Sequence, residues 1–290
     1  MQASLEASPF SQCAPFRSNG SPTSTCAMQA GRRQRLHVQA STIGPGDTVL
    51  VAGATGGVGQ ILTAKLLERG YKVRAMTRSK DKADQLLGNK DGLEVIVADA
   101  KDPQTLPASM QGIDAVAAVT GTTAFPSKKW TGNNGPEQTD YIAMRNLIDA
   151  TPKSVKRFVL TTSAGVDRSN KIPFSILNLF GVLKYKKQAE TLLQQSGLPW
   201  TILRPSRLTD GPYTSYDLNT LLQATAGTRQ DVLISAQDDQ LGEASRIAVA
   251  EAIVQVLAID AAEGRKYSIA SREGEGPGTD PAKWKALLGV

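Results

Sequence analysis

The chain has 290 residues, 40% hydrophobic and 21% charged, with a formal net charge of +6. That length suffices for one large α/β domain or two modest ones. The charge does not make a nucleic-acid binder: ahead of Asp47 stand Arg17, Arg32, Arg33 and Arg35 against Glu6 alone, so this segment carries +3 and the remainder only +3. Aromatics do not alternate with basic residues, and nucleic acid is not an expected partner. No run of 18 apolar residues occurs, so no transmembrane span is expected.

Residues 1–40 are rich in Ser, Ala and Gln and read as an organellar transit peptide rather than a secretory signal or membrane anchor; a plain tail is the alternative. The Ser/Thr-rich, acid-poor stretch before the Arg32–Arg33 cluster points to the chloroplast, with a mitochondrial address left open. Cleavage is expected between Ala27 and Ala40. It would remove Cys13, Cys26 and His37, leaving no disulfide, no thiol nucleophile and no His- or Cys-based metal site.

The first strong element is TVLVAGATGGVGQILTAKLLERGYKVRAMTR. Thr48 to Ala52 reads as a buried strand, Gly53 to Gly59 as a tight turn, Gln60 to Glu68 as a helix and Tyr71 to Met76 as a second strand. Gly53, Gly56 and Gly59 are spaced for a turn, for close approach of backbone to a pyrophosphate, and for helix–strand packing. Gly57 is an extra glycine inside the turn. With Thr55 and Val58 these residues form the expected phosphate cradle, its N–H groups at a helix start. An ordinary glycine loop is the bland alternative.

After the second strand no acid occurs before Asp81, where one would meet the ribose of NAD; Arg78 instead suits a 2′-phosphate and favours NADP over NAD. Lys80 is a weaker assistant, and Arg74 faces elsewhere if strand alternation holds. LEVIVADA, 93–100, reads as the third strand; Asp99 at its end has two readings, a contact at the adenine end or a cap of the next turn. IDAVAAVTG, 113–121, is the fourth, and Thr120 and Gly121 leave room for the nicotinamide side. Trp130, in the loop that follows, covers a ligand or packs beneath the loop.

Asp140 to Ala150 reads as a helix and RFVLTTSAG, 157–165, as a strand that delivers Ser163 to its C-terminal end. Leu183 to Gln195 is amphipathic, and LPWTILRPSRL, 198–208, is another buried strand. DVLISAQ, a helix from Ser245 to Leu257, and RKYSIAS make a smaller C-terminal lobe. Residues 272–290 form a tail with a short helix from Pro281, whose Trp284 docks on the core or a partner. The fold class is thus a Rossmann-type doubly wound parallel sheet over 46–271.

VAGATGGVG, VLTTSAG, the lysine-bearing helix and SGLPWTILRPSRL together resemble the atypical short-chain dehydrogenase/reductase superfamily, in particular its NmrA-like plastid members. The resemblance spans about residues 46–271 and implies NADP binding by a protein of the chloroplast stroma or thylakoid periphery. The superfamily includes reductases, redox-responsive binding proteins and assembly factors. Its typical catalytic trio is a Ser and a Tyr-x-x-x-Lys pair, in which tyrosine protonates the developing oxyanion and lysine holds the cofactor ribose. Ser163 matches the serine and Lys186 the lysine, which makes both catalytic candidates and Lys186 a cofactor contact.

The tyrosine position is Val182, which donates no proton. Tyr185 does not replace it: residues four apart share a helix face, so Val182 and Lys186 align while Tyr185 points away. Lys184, Lys187 and Glu190 leave a solvated lysine or an intrahelical ion pair as alternatives for Lys186. Arg204 supports the site or anchors the strand exit. Three functions follow: a redox-responsive regulatory or assembly factor with a protein partner and weak or absent catalysis, an atypical reductase of a small organic substrate aided by Tyr213 or Tyr216, and a cofactor-free protein-binding scaffold.

Overall fold

The computed structural model describes residues 42–208 and 231–290. The expected leader, with Cys13, Cys26 and His37, lies outside them, as do Tyr213 and Tyr216.

Chain order begins with β1 (Thr48–Ala52), α1 (Gly57–Glu68), β2 (Lys72–Thr77), α2 (Lys80–Leu87), β3 (Leu93–Val97) and β4 (Ala115–Ala118). A π-helical turn, Glu137–Ile142, runs into α3 (Ala143–Ala150), followed by β5 (Arg157–Thr161), α4 (Phe174–Leu177), α5 (Val182–Gln195) and β6 (Trp200–Pro205). Then come β7 (Arg207–Leu208), β8 (Asp231–Ser235), β9 (Glu243–Ala244), α6 (Arg246–Ala258), β10 (Arg265–Arg272) and α7 (Pro281–Leu288). Eight strands form one sheet in the order β3-β2-β1-β4-β5-β6-β10-β8, parallel throughout except for β8 against β10. Strand order reverses beside β1, where such sheets open a ligand crevice beyond their C-terminal ends.

Alternation along the strands divides the core. Val49 and Val51 of β1, Val73 and Ala75 of β2 and Val159 of β5 meet Ile61, Leu62 and Leu66 of α1 and Val249, Ile253 and Val256 of α6. Leu50, Ala52, Val116, Phe158 and Leu160 face the other way, onto Met144 and Leu147 of α3 and Ala189 and Leu193 of α5. From the tail, α7 sends Trp284 and Leu288 into the first of these cores, and the indole N–H donates to Gly278 O at 2.9 Å.

Several elements differ from the sequence expectation for local reasons. Helix α2 was not expected: KDKADQLL is mostly polar, buries only Ala83 and Leu87, and starts because Ser79 Oγ caps Lys82 N. The strand expected over 198–208 divides after Pro205, since β7 leaves to pair with β9 in a separate two-stranded sheet. The helix expected from Asp140 is preceded by the π-helical turn that contains that residue.

Helices α1 and α6 are also tied by charge. Glu251 of α6 accepts from Lys65 of α1 at 3.0 Å, from Arg69 at the C-cap of α1 at 2.6 Å, and from Gln255 at 2.8 Å. Burial would push the Glu251 carboxyl up, but those donors outweigh it and hold it below the usual carboxylate range. A depressed folded-state value stabilises fully above the unfolded value, about 4.3, and the contribution disappears as pH falls through the folded value. Urea midpoints should therefore drop as pH falls below about 5, and Glu251→Gln should flatten that slope while lowering stability at neutral pH. Asp114 and Asp167, depressed in the same sense, keep a residual slope. An unaltered slope in the variant would contradict the assignment.

Candidate functional site

The parallel register sets the site. Ala52 pairs with Met76 on one side and Ala118 on the other, Ala118 with Leu160, and Leu160 with Ile202. The strands therefore end in one row, and Gly53, Arg78, Thr120 and Ser163 lie just beyond it.

Gly53 adopts φ +93°, and a Cβ there would stand 2.8 Å from Thr120 Cγ2. Gly56 N donates to Gly53 O at 2.9 Å, closing the turn. At Gly59 a Cβ would meet Gly53 O at 2.1 Å and Ala54 Cα at 2.8 Å, so only glycine lets α1 start this close to the turn. Thr55 O accepts from Gln60 Nε2 at 3.2 Å, and Val58 is buried against the sheet. Gly56 and Gly57 remain exposed at the start of α1, whose N-cap supplies no side-chain acceptor and whose first turn has no acid. A dinucleotide pyrophosphate fits this cradle: the backbone is bare, and the unsatisfied N–H groups of a helix start attract an anion.

At the edge of the cradle, Arg78 Nη1 and Lys101 Nζ each donate to Asn134 Oδ1 at 2.8 Å. This second cation was missed in the sequence because Lys101 follows β3, whereas the familiar 2′-phosphate position follows β2. Asp99 caps the turn between them, accepting from Lys101 N at 3.0 Å. Arg74 turns away to Glu94, 2.7 Å, and Ser109 O, 3.2 Å, while Lys80 pairs with Asp84 along α2.

On the opposite side, Lys186 is neither solvated nor paired within its helix. Its Nζ lies 2.6 Å from Asp140 Oδ1, and both side chains are buried. Thr122 holds the same carboxylate through its backbone N–H, at 3.2 Å, and its hydroxyl. A Cβ at Gly121 would stand 2.9 Å from Lys186 Nζ, so the exit of β4 passes directly over the ammonium. In the sequence Asp140 reads only as a helix start; its link to Lys186 spans 46 positions and leaves no local signal.

Ser163 Oγ donates to Ala164 O at 3.1 Å, and among the described residues no hydrogen bond joins it to Lys186. Val182 is buried with Val166, Phe174 and Leu183. The Tyr185 ring faces Tyr141 at 6.4 Å; partial burial and the neighbouring Glu137 carboxylate both push its hydroxyl pKa up. Arg204, buried with Glu190, anchors the exit of β6 in a network that reaches the exposed Asp167. It donates to Glu190 at 2.9 and 2.6 Å and to Asp167 at 2.5 Å, and Glu190 also accepts from Thr162 at 2.7 Å.

Beyond this lies an aromatic group: Phe180 meets Trp130 at 5.7 Å and Phe125 at 6.3 Å, both edge to face. Trp130 Nε1 donates to Thr123 Oγ1 at 3.1 Å, fixing the loop. Phe125, Phe180, Leu179, Ile176 and Ile172 are exposed.

Residues 53–260 match the NAD(P)H-binding family. The chain belongs to that family. Its fold is that of the NmrA-like short-chain dehydrogenases/reductases, and it is a chloroplast NAD(P)-binding protein. It is 32% identical to sanguinarine reductase of Eschscholzia californica, over 83% of this chain and 94% of that one. It is 35% identical to the chloroplastic protein TIC 62 of Arabidopsis thaliana, over 62% of this chain and 30% of that one. Its identity to the photosystem II assembly factor Ycf39 of Trieres chinensis is 31%, over 67% and 56%. The chain thus spans less than two thirds of TIC 62 and of Ycf39. Among solved structures, an NAD-dependent epimerase/dehydratase fold from Bacillus halodurans superposes with a TM-score of 0.66 at 23% identity, covering 84% of this chain and all of that one. Among the described residues no helix is long and apolar enough to cross a membrane, and no His/Cys/Asp/Glu group could hold a metal.

Removing the Lys186 ammonium leaves a buried carboxylate facing no counter-charge. Lys186→Met should therefore cost about 3–5 kcal/mol in urea unfolding, and the double change with Asp140→Asn should recover part of it. Additive losses would show that the two side chains do not act as a pair.

Proposed function

We propose that the protein is a chloroplast NADP-binding regulatory or assembly factor with weak or absent hydride-transfer chemistry. The carrying observation is the contrast between two halves of one crevice: a complete phosphate cradle, and a catalytic side where Val182 stands in place of the proton donor and is buried. Binding and transition-state chemistry use different groups, so the first survives without the second. When bound, the nicotinamide would supply or accept hydride; the phosphate cradle at Gly53 to Gly59 would hold the pyrophosphate. Arg78 and Lys101 together give two donors for a 2′-phosphate, which supports NADP over NAD. Lys186, fixed by Asp140 beneath Gly121, would present its ammonium toward the nicotinamide ribose.

Exposed large apolar side chains can mark an interaction site. Phe125 and Phe180 meet edge to face, and with Ile172, Ile176 and Leu179 they are exposed, which supports a protein partner, as does the likeness to a photosystem assembly factor. The second reading, a reductase of a small organic substrate, is favoured by the likeness to sanguinarine reductase along nearly its whole length. There Ser163 would orient the electrophile and Lys186 would hold the ribose, with water completing proton transfer.

The protein isolated from chloroplasts should retain NADP in native mass spectrometry and should not oxidise NADPH against a panel of carbonyls and enones. Steady turnover with wild type that disappears in Lys186→Met would establish the reductase instead, and the absence of any retained nucleotide would favour a scaffold. Arg78→Gln should weaken NADPH about tenfold, equivalent to about 1.4 kcal/mol, while changing NADH less than about twofold. Equal losses for both nucleotides would remove the 2′-phosphate assignment.

A further inference from the structure

A buried ion pair adds little net stability over apolar side chains of the same volume, so stability does not explain Lys186 and Asp140. The pair is nonetheless firmly built. Lys186 Nζ donates to Asp140 Oδ1 at 2.6 Å, and the same carboxylate accepts from the backbone N–H and the hydroxyl of Thr122. Asp140 lies in the π-helical turn Glu137–Ile142, a rare backbone form that recurs at functional sites. The two partners are not equally deep: the lysine side chain keeps 9% exposure and the aspartate 1%. Lysine is the outer member, with the carboxylate behind it.

The outer side is the crevice. A Cβ on Gly53 would stand 2.8 Å from Thr120 Cγ2, and one on the next residue, Gly121, would stand 2.9 Å from Lys186 Nζ. Two successive residues at the exit of β4 therefore touch the phosphate turn and the ammonium. Gly121 is itself exposed. Arg78 and Lys101 meet at Asn134 on the other flank of the turn, which leaves the Lys186 flank for the nicotinamide half of a dinucleotide. An ammonium has three N–H donors, and among the described residues Nζ gives one hydrogen bond, to Asp140.

The nicotinamide ring is a cation when oxidised and neutral when reduced, while the rest of the nucleotide is the same in both forms. An uncompensated ammonium in a site shielded from water repels the first and is indifferent to the second. We propose that Asp140 is a specificity-determining residue for the redox state of the bound nucleotide: it offsets the Lys186 charge and so admits the oxidised form. The inference rests on the dinucleotide reading proposed above and holds for NADP and NAD alike. One carboxylate then sets the ratio in which the protein carries the two forms.

The test titrates wild type, Asp140→Asn, Lys186→Met and the double variant with NADP+ and NADPH by calorimetry, after melting curves establish that each folds. Any lost contact to the ribose or phosphates weakens both forms alike, so the ratio of the two affinities isolates the charge. Asp140→Asn should weaken NADP+ about tenfold relative to NADPH, and Lys186→Met, which leaves the carboxylate alone, should shift the ratio the opposite way. The double variant, neutral at both positions, should return it to near the wild-type value. A tenfold change in the ratio moves the midpoint potential of the bound couple by about 30 mV, upward in Asp140→Asn, which the absorbance of bound NADPH in poised NADP+/NADPH mixtures checks separately. If Lys186→Met does not fold, Asp140→Asn against the double variant carries the comparison, since the two differ only in the residual ammonium. Equal losses for both forms, or shifts of the same sign in the two single variants, would overturn the proposal. Wild type that binds neither form would overturn the dinucleotide reading as well, whereas binding of both with ratios unmoved by the variants would overturn this inference alone.

Discussion

Helix α1 begins where it does because residue 59 has no side chain. With a Cβ at that point only 2.1 Å from Gly53 O, any other residue would push the helix off the turn. The rest of the crevice follows from this contact. It aims the first-turn N–H groups of α1 at the space beyond the sheet, and it brings α1 close enough to the strands for Ile61, Leu62 and Leu66 to complete one face of the core. It also fixes the surface on which α6 comes to rest. A local steric requirement thus determines both the anion site and the packing of a helix from the far end of the chain.

Charge holds the other side. Buried Lys186 with buried Asp140, and buried Arg204 with buried Glu190 and exposed Asp167, join α5 to the turn before α3, to β6 and to the loop after β5. Pairs of this kind contribute little net stability over apolar packing, because desolvation consumes most of the Coulomb gain. Their effect is positional: each charge accepts few geometries, so α5 has few ways to sit. Glu190 faces Arg204 and Lys186 faces Asp140 from the same helix four residues apart, which fixes the rotation of α5 and sends Val182 inward and Tyr185 toward Tyr141.

The residues differ in how visibly they announce these roles in the sequence. The opening β-α-β unit was legible because its signals are contiguous: an apolar strand, a glycine cluster and a 3.6-residue period in immediate succession. The separation of Val182 and Lys186 from Tyr185 was legible from helix geometry alone. Lys101 and Asp140 were not, since each acts on a partner that only the packed fold brings near. Helix α2 was hidden by composition, as a helix that buries two side chains shows almost no apolar period.

The same separation bears on why a Rossmann crevice persists without the usual proton donor. The phosphate cradle depends on backbone shape, which glycine spacing and the contact at Gly59 enforce whatever the residue at 182. Lys186 stays in place because Asp140, itself held by Thr122, pairs with it and Gly121 makes room for it, and none of those contacts involves a tyrosine. On the function proposed above, valine at 182 removes one chemical step while leaving the binding scaffold mechanically intact. A buried valine among Val166, Phe174 and Leu183 adds apolar contact where a tyrosine hydroxyl would need a partner. On that proposed reading, cofactor affinity and hydride chemistry can be lost or kept independently, which is the physical condition for a dinucleotide to act as a signal rather than a reagent.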